Sequence, residues 1–149
     1  WAQSMTGTRY AAINPYRFGT QLWPGGTLTS DFIDRTYTFP AGTRVFDCSG
    51  FVITAFRQIG IDLPSLGGSD SESIGQIASM ELIDRAQIMP GDIIVYSPLN
   101  GIGHVGISMG GDQMVDASPR GVGVKPVDWS RVSAIRRPNV SDAAAAAAT

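Results

Sequence analysis

One cysteine and one histidine are all that this 149-residue sequence contains of either type. A single cysteine leaves no internal disulfide and no multi-cysteine zinc set, so neither a disulfide-stapled scaffold nor a structural metal site is expected. No apolar run reaches the roughly 18 residues of a membrane-spanning helix. An excess of either charge is lacking too: 11 Lys and Arg against 13 Asp and Glu give a net charge of −2 and a pI near 5.2. That balance provides no basic footprint for nucleic acid, and Arg131, Arg136 and Arg137 read as an ordinary solvated end. The start at Trp1 has no charged segment leading into a signal-type apolar stretch and reads as the edge of an excised domain. What remains is 43% hydrophobic and 16% charged, a globular composition at the length of one domain, expected to be monomeric and to need no cofactor.

The one cysteine stands in Phe46-Asp47-Cys48-Ser49-Gly50-Phe51. Phe51, Val52, Ala55, Phe56 and Ile59 follow at helical spacing, an apolar stripe that would bury a helix against a sheet. Asp47 is a good N-cap, and Ser49 can support the same first turn. Cys48 then lies where unpaired N–H groups and the helix dipole favour thiolate, which argues for a nucleophile over a small buried hydrophobe.

A thiolate needs a base, and His104 is the only histidine. In His104-Val105-Gly106-Ile107-Ser108-Met109 the apolar positions alternate, so the histidine lies on the strand face away from the core, with glycines leaving room for its ring. Gly110-Gly111-Asp112 is a turn signal, and Gln113 to Ala117 can return as a partner strand. With a three-residue loop over Met109, Gly110 and Gly111, Ser108 pairs with Asp112 and His104 directly faces Asp116. Asp116 could then fix the imidazole tautomer. A two-residue Gly110-Gly111 loop would put Asp116 on the other face, where it would be a solvated strand-edge carboxylate.

These segments, together with Pro90-Gly91-Asp92-Ile93-Ile94-Val95-Tyr96 and Met114-Val115-Asp116-Ala117, resemble the successive motifs of NlpC/P60 cysteine peptidases from about Trp1 to Val132. The resemblance implies a papain-like α+β fold with the nucleophile at the N-terminus of a helix packed on an antiparallel β-sheet. It implies hydrolysis of peptidoglycan stem peptides, typically between γ-D-glutamate and the adjacent diamino acid, meso-diaminopimelate or lysine. The setting would be extracellular, cell wall, periplasmic or phage-tail associated. Carried over by residue, it makes Cys48 the nucleophile, His104 the general base and acid, and Asp116 the third polar residue, where many relatives have histidine, asparagine or glutamine. Tyr10 matches the family's upstream tyrosine, with Tyr16 as a rival, and Asp47 and Ser49 would contact substrate beside the nucleophile.

The rest of the chain is organised around these motifs. Residues 1–138 form the expected catalytic domain, within which 11–45 is a Gly-, Pro- and Thr-rich insertion with a turn at Trp23-Pro24-Gly25-Gly26 and a short strand over Arg35–Phe39. Trp23, Phe32, Tyr37 and Phe39 give it enough apolar surface to fold down as a cleft wall or lid. Asp70–Met80 reads as a second helix, and five short runs from Ile93 to Ile135 read as antiparallel strands. Residues 139–149, ending in six alanines and Thr149, read as a tail or linker, too short for a stable isolated helix. A cysteine amidase or acyltransferase and a non-catalytic wall-binding module are the competing functional classes.

Overall fold

The computed structural model describes residues 1–13, 22–31 and 33–149. In chain order the elements are β1 (Arg9–Tyr10), β2 (Thr27–Thr29), β3 (Thr36–Thr38), β4 (Val45–Phe46), α1 (Cys48–Arg57), α2 (Ser71–Gly75), β5 (Glu81–Leu82), β6 (Ile93–Leu99), β7 (Ile102–Gly110), β8 (Gln113–Ser118), β9 (Gly121–Pro126), β10 (Val132–Arg137) and α3 (Asp142–Ala148).

The period-2 apolar pattern of the second half closes into a six-stranded sheet, ordered β5-β10-β6-β7-β8-β9, with every neighbouring pair antiparallel. Alternate positions go to opposite faces. Ile93, Val95, Val105, Ile107, Val115 and Ala117 join Phe51, Val52, Ala55 and Phe56 of α1 in one buried cluster. Each such large side chain contributes about 1.5–3 kcal/mol on burial. Ile94, Tyr96 and Met114 take the other face and pack with Val127 and Trp129. Helix α1 starts because Asp47 accepts a 2.7 Å hydrogen bond from the Gly50 N–H, and it unwinds into Gly60, whose φ of +83° suits a residue without Cβ.

The 11–45 segment builds a small core of its own. Trp23 and Tyr37 are buried with Ala11, Ala12, Ile13 and Val45, and β2 and β3 pair as a hairpin. Trp23 donates to the Gly26 carbonyl at 3.0 Å and meets Phe39 edge-on at 5.1 Å. The anticipated strand over Arg35–Phe39 is narrower, Thr36–Thr38. Phe32 and Tyr16 lie outside the described residues.

Two expectations change. The second helix covers only Ser71–Gly75, opened by an Asp70 capping box. Beyond it, successive three-residue turns, Ile77 N–H to Ile74 and Met80 N–H to Ile77, bury Ile74, Ile77 and Met80. Spacing by threes is met by these tighter turns as well as by an α-helix. The alanine-rich end, expected as a tail or linker, folds as α3 and buries Ala145 and Ala148. Its end is tied to the N-terminal segment, Gln3 N–H donating to the Thr149 carbonyl at 2.7 Å. Seven residues are too few for an isolated helix, and these tertiary contacts supply the missing stabilisation.

Candidate active site

Cys48 is the first residue of α1 and is half-buried. The backbone N–H groups of Val105 and Ser49 point at its sulfur and favour thiolate, but they are outweighed. Burial, and after it the negative charges of Asp47 and Asp116, push the thiol up to about 12. This corrects the expectation that the helix start and its polar neighbours favour thiolate. Asp47, the residue that caps the helix, is the larger of the two opposing charges, and low polarity removes the water a thiolate needs.

His104 Nε2 is hydrogen-bonded to Asp116 Oδ2. The histidine side chain is 16% exposed and that of Asp116 1%. A carboxylate only accepts, so this bond assigns the imidazole proton to Nε2 and leaves the Nδ1 lone pair available as a base. The ring also meets Tyr96, its antiparallel partner across β6 and β7, with centroids 5.7 Å apart and planes tilted by 42°. The Tyr96 hydroxyl accepts from the Asp128 N–H at 2.7 Å.

The hairpin register differs from the anticipated one. Ile107 pairs with Val115 and Ser108 with Met114, whereas Gly110 pairs with Gln113, so Met109 is an extra residue on β7. The turn is Gly111-Asp112, and Ser108 does not face Asp112. Continuing the pairing brings Gly106, not His104, opposite Asp116; an ideal Cβ on Gly106 would stand 3.1 Å from the Asp116 Cβ. His104 and Asp116 are thus diagonal neighbours rather than directly opposed. They share a face because the shift from the anticipated register is two residues, and one would have sent Asp116 through the sheet.

Lys125 was not singled out by sequence. It projects from β9 and forms an ion pair with the same Asp116 Oδ2 at 2.5 Å. The signal available was a lone lysine within the apolar run Val122–Val127, one of the runs read as antiparallel strands.

A cavity of about 860 Å³ is lined by Cys48 and His104 together with Tyr10, Asp47, Ser49, Tyr96 and Lys125. The insertion contributes Asp31 and Ile33 to its wall, and the start of α2 contributes Asp70, Ser71 and Glu72. Gly103 lets the strand leading to His104 lie on α2, since a Cβ there would overlap the Ser71 hydroxyl. Tyr10 is held beside Cys48 by the parallel bridge that pairs it with Phe46. Burial first, then the charges of Cys48 and Asp47, raise its phenol well above the ordinary range, so it is a neutral hydroxyl. Asp47 and Ser49 are both 4% exposed. Among the described residues, no three His, Cys, Asp or Glu side chains converge to hold a metal ion, and no helix is long and apolar enough to cross a membrane.

A thiol at the start of a helix, packed on an antiparallel sheet that presents a histidine bonded to a carboxylate, defines the papain-like α+β class. Within that class the chain belongs to the NlpC/P60 family, whose model matches residues 14–140. It is 41% identical over 93 residues to the probable endopeptidase p60 of Listeria grayi, covering 62% of this chain and 17% of that protein. The chain therefore spans less than a fifth of that relative's length. Among solved structures, the peptidoglycan hydrolase RipB of Mycobacterium tuberculosis superposes with a TM-score of 0.63 at 26% identity, over 91% of this chain and 60% of that one. RipD of the same organism, described as a non-catalytic NlpC/p60 domain protein adapted to peptidoglycan binding, shares the fold with a TM-score of 0.53 at 24% identity, over 66% and 70% of the two chains.

Proposed function

We infer that this domain is a cysteine endopeptidase of peptidoglycan stem peptides, acting at the bond between γ-D-glutamate and the adjacent diamino acid in the cell wall or outside the cell. The observation that carries this reading is His104 fixed by the buried Asp116 in the same cavity as the only cysteine. His104 Nδ1 accepts the Cys48 proton as Sγ attacks the carbonyl carbon. The C–N bond breaks, the imidazolium gives its proton to the departing amine, and a thioester remains. Water, deprotonated by His104, then hydrolyses the thioester and regenerates the thiol. Since burial holds the thiol protonated, the base acts during attack, with Asp116 stabilising the imidazolium it creates. Tyr10, Asp47 and Ser49 form the wall beside the nucleophile, and Tyr10 donates its neutral hydroxyl to substrate.

A non-catalytic wall-binding domain is the second reading, because RipD, described as non-catalytic, shares the fold; the presence of both Cys48 and His104 in one cavity counts against it. Incubation with purified peptidoglycan, followed by mass spectrometry of the released fragments, separates the readings. Fragments with a new diamino-acid amine, lost in Cys48→Ala, support the endopeptidase. Release of other amides or esters supports an amidase or acyltransferase on the same scaffold, and sedimentation with the wall without any release supports the binding module.

A further inference from the structure

Of the large apolar side chains left most exposed among the described residues, only Leu99 and Ile102 border the cavity that holds Cys48. They are 57% and 47% exposed and stand at the tip of the hairpin between β6 and β7. Leu99 pairs with Ile102 across the strands, and facing residues lie on one side of a sheet with Cβ atoms about 4.5–5.5 Å apart, so the two form one apolar lip. Asn100 and Gly101 close the tip with φ of +53° and +77°, the backbone of a tight two-residue turn. The lip shares the face of the base. Between the pairs Tyr96–His104 and Leu99–Ile102 the extra residue is on β6, so β7 runs regularly from Ile102 to His104. Residues two apart on a strand point the same way, about 6.6 Å from each other.

That position selects what the lip can meet. In the proposed reaction His104 gives its proton to the departing amine, so the residue that contributes this amine lies against His104. Its side chain is then within reach of a group two strand positions away. Glu72 borders the same cavity and takes part in none of the ion pairs among the described residues. The cations there are engaged, Lys125 with Asp116 and Arg131 with the Ser97 carbonyl and the Tyr96 ring. An apolar lip in a cavity with a carboxylate outside those pairs suits a side chain made of methylenes ending in an ammonium.

We propose that Leu99 and Ile102 bind the aliphatic stem of the diamino acid on the leaving side of the scissile bond and so select for side-chain length there. This rests on the stem-peptide reading. Lysine and meso-diaminopimelate both carry a run of methylenes before the distal amine, and a lip of Leu and Ile accepts that run by burying it, whatever group ends it. The hairpin tip is thereby a specificity element, and its two exposed apolar side chains gain cover only when substrate is bound.

The test uses γ-glutamyl peptides whose leaving residue is lysine, ornithine, diaminobutyrate or diaminopropionate, each one methylene shorter than the last. Burial of one methylene is worth up to about fourfold, so wild-type kcat/KM should fall about threefold or more at each step. In Leu99→Thr/Ile102→Thr, which keeps strand-forming side chains, each step should shrink to less than about twofold. An equal slope in the two proteins overturns the lip. Norleucine keeps the methylene chain without the charge. Retention of most of the lysine value supports apolar recognition, and a fall to the diaminopropionate value shows that charge alone is read and overturns it. Calorimetric Kd values of the same peptides for Cys48→Ala repeat the series without turnover. If wild type cuts no member but Kd still rises with each methylene removed, the endopeptidase reading fails and the lip stands. If wild type cuts every member equally well and Kd is flat, the endopeptidase reading stands and the lip is overturned. A dimer in sedimentation that is lost in Leu99→Thr/Ile102→Thr, with the slope unchanged, would assign the hairpin tip to self-association instead and overturn the proposal.

Discussion

Lys125 and His104 share one oxygen of Asp116, the ammonium on one side and imidazole Nε2 on the other. The carboxylate that orients the histidine is therefore divided between an ammonium and an imidazole N–H.

Replacing Lys125 with Met should leave Asp116 to His104 alone. The rate at the optimum should change by less than about tenfold, since the lysine touches no reacting atom. A loss in kcat/KM as large as that of Asp116→Ala would show that Lys125 is needed to hold the carboxylate in place for His104.

Asp116→Asn keeps a polar group beside the ring but removes the charge and can present its amide N–H to Nε2, reversing the tautomer. The expected loss in kcat/KM is between about 10² and 10⁴-fold, with Asp116→Ala at least as severe and both milder than Cys48→Ala. Full activity in Asp116→Ala would require another group to orient His104.

Gly106→Ala should damage stability and activity together. The added methyl would overlap the Met114 methyl and stand 3.1 Å from both the Asp116 Cβ and the Val115 carbonyl. Overpacking of this kind costs about 1–3 kcal/mol, readable in urea unfolding. A companion loss in kcat is expected from displacement of Asp116. Wild-type stability in Gly106→Ala would show that the hairpin relaxes without strain.

The half-buried Cys48 thiol has a direct pH signature. Its ionisation is pushed from the ordinary thiol range up to about 12, and alkylation follows the thiolate fraction. Inactivation of the free enzyme by iodoacetamide should therefore become faster with each step from neutral to alkaline pH, with no plateau below about pH 10. A plateau reached near neutrality would instead reveal a preformed thiolate–imidazolium pair. The sign for stability agrees: between the ordinary thiol range and about 12 the unfolded chain releases the proton that the folded chain keeps. Stability falls as pH rises, and Cys48→Ala should melt relatively higher in that range.

The sequence by itself determined the helix that begins at Cys48, because an Asp cap and an apolar stripe at 3.6-residue spacing are local facts. It determined the strands from Ile93 to Ile135 by their alternation, and it singled out Cys48 and His104 by their rarity. What only the tertiary structure decided lies where distant segments meet. The extra residue at Met109 set the face and diagonal offset of Asp116, because register depends on pairing rather than on a turn motif alone. Lys125 joined Asp116 only through the pairing of β8 and β9. The alanine tail became a helix only by docking, and the Cys48 proton is held by burial, a property of the surrounding fold that the local sequence, with its favourable helix start, does not contain.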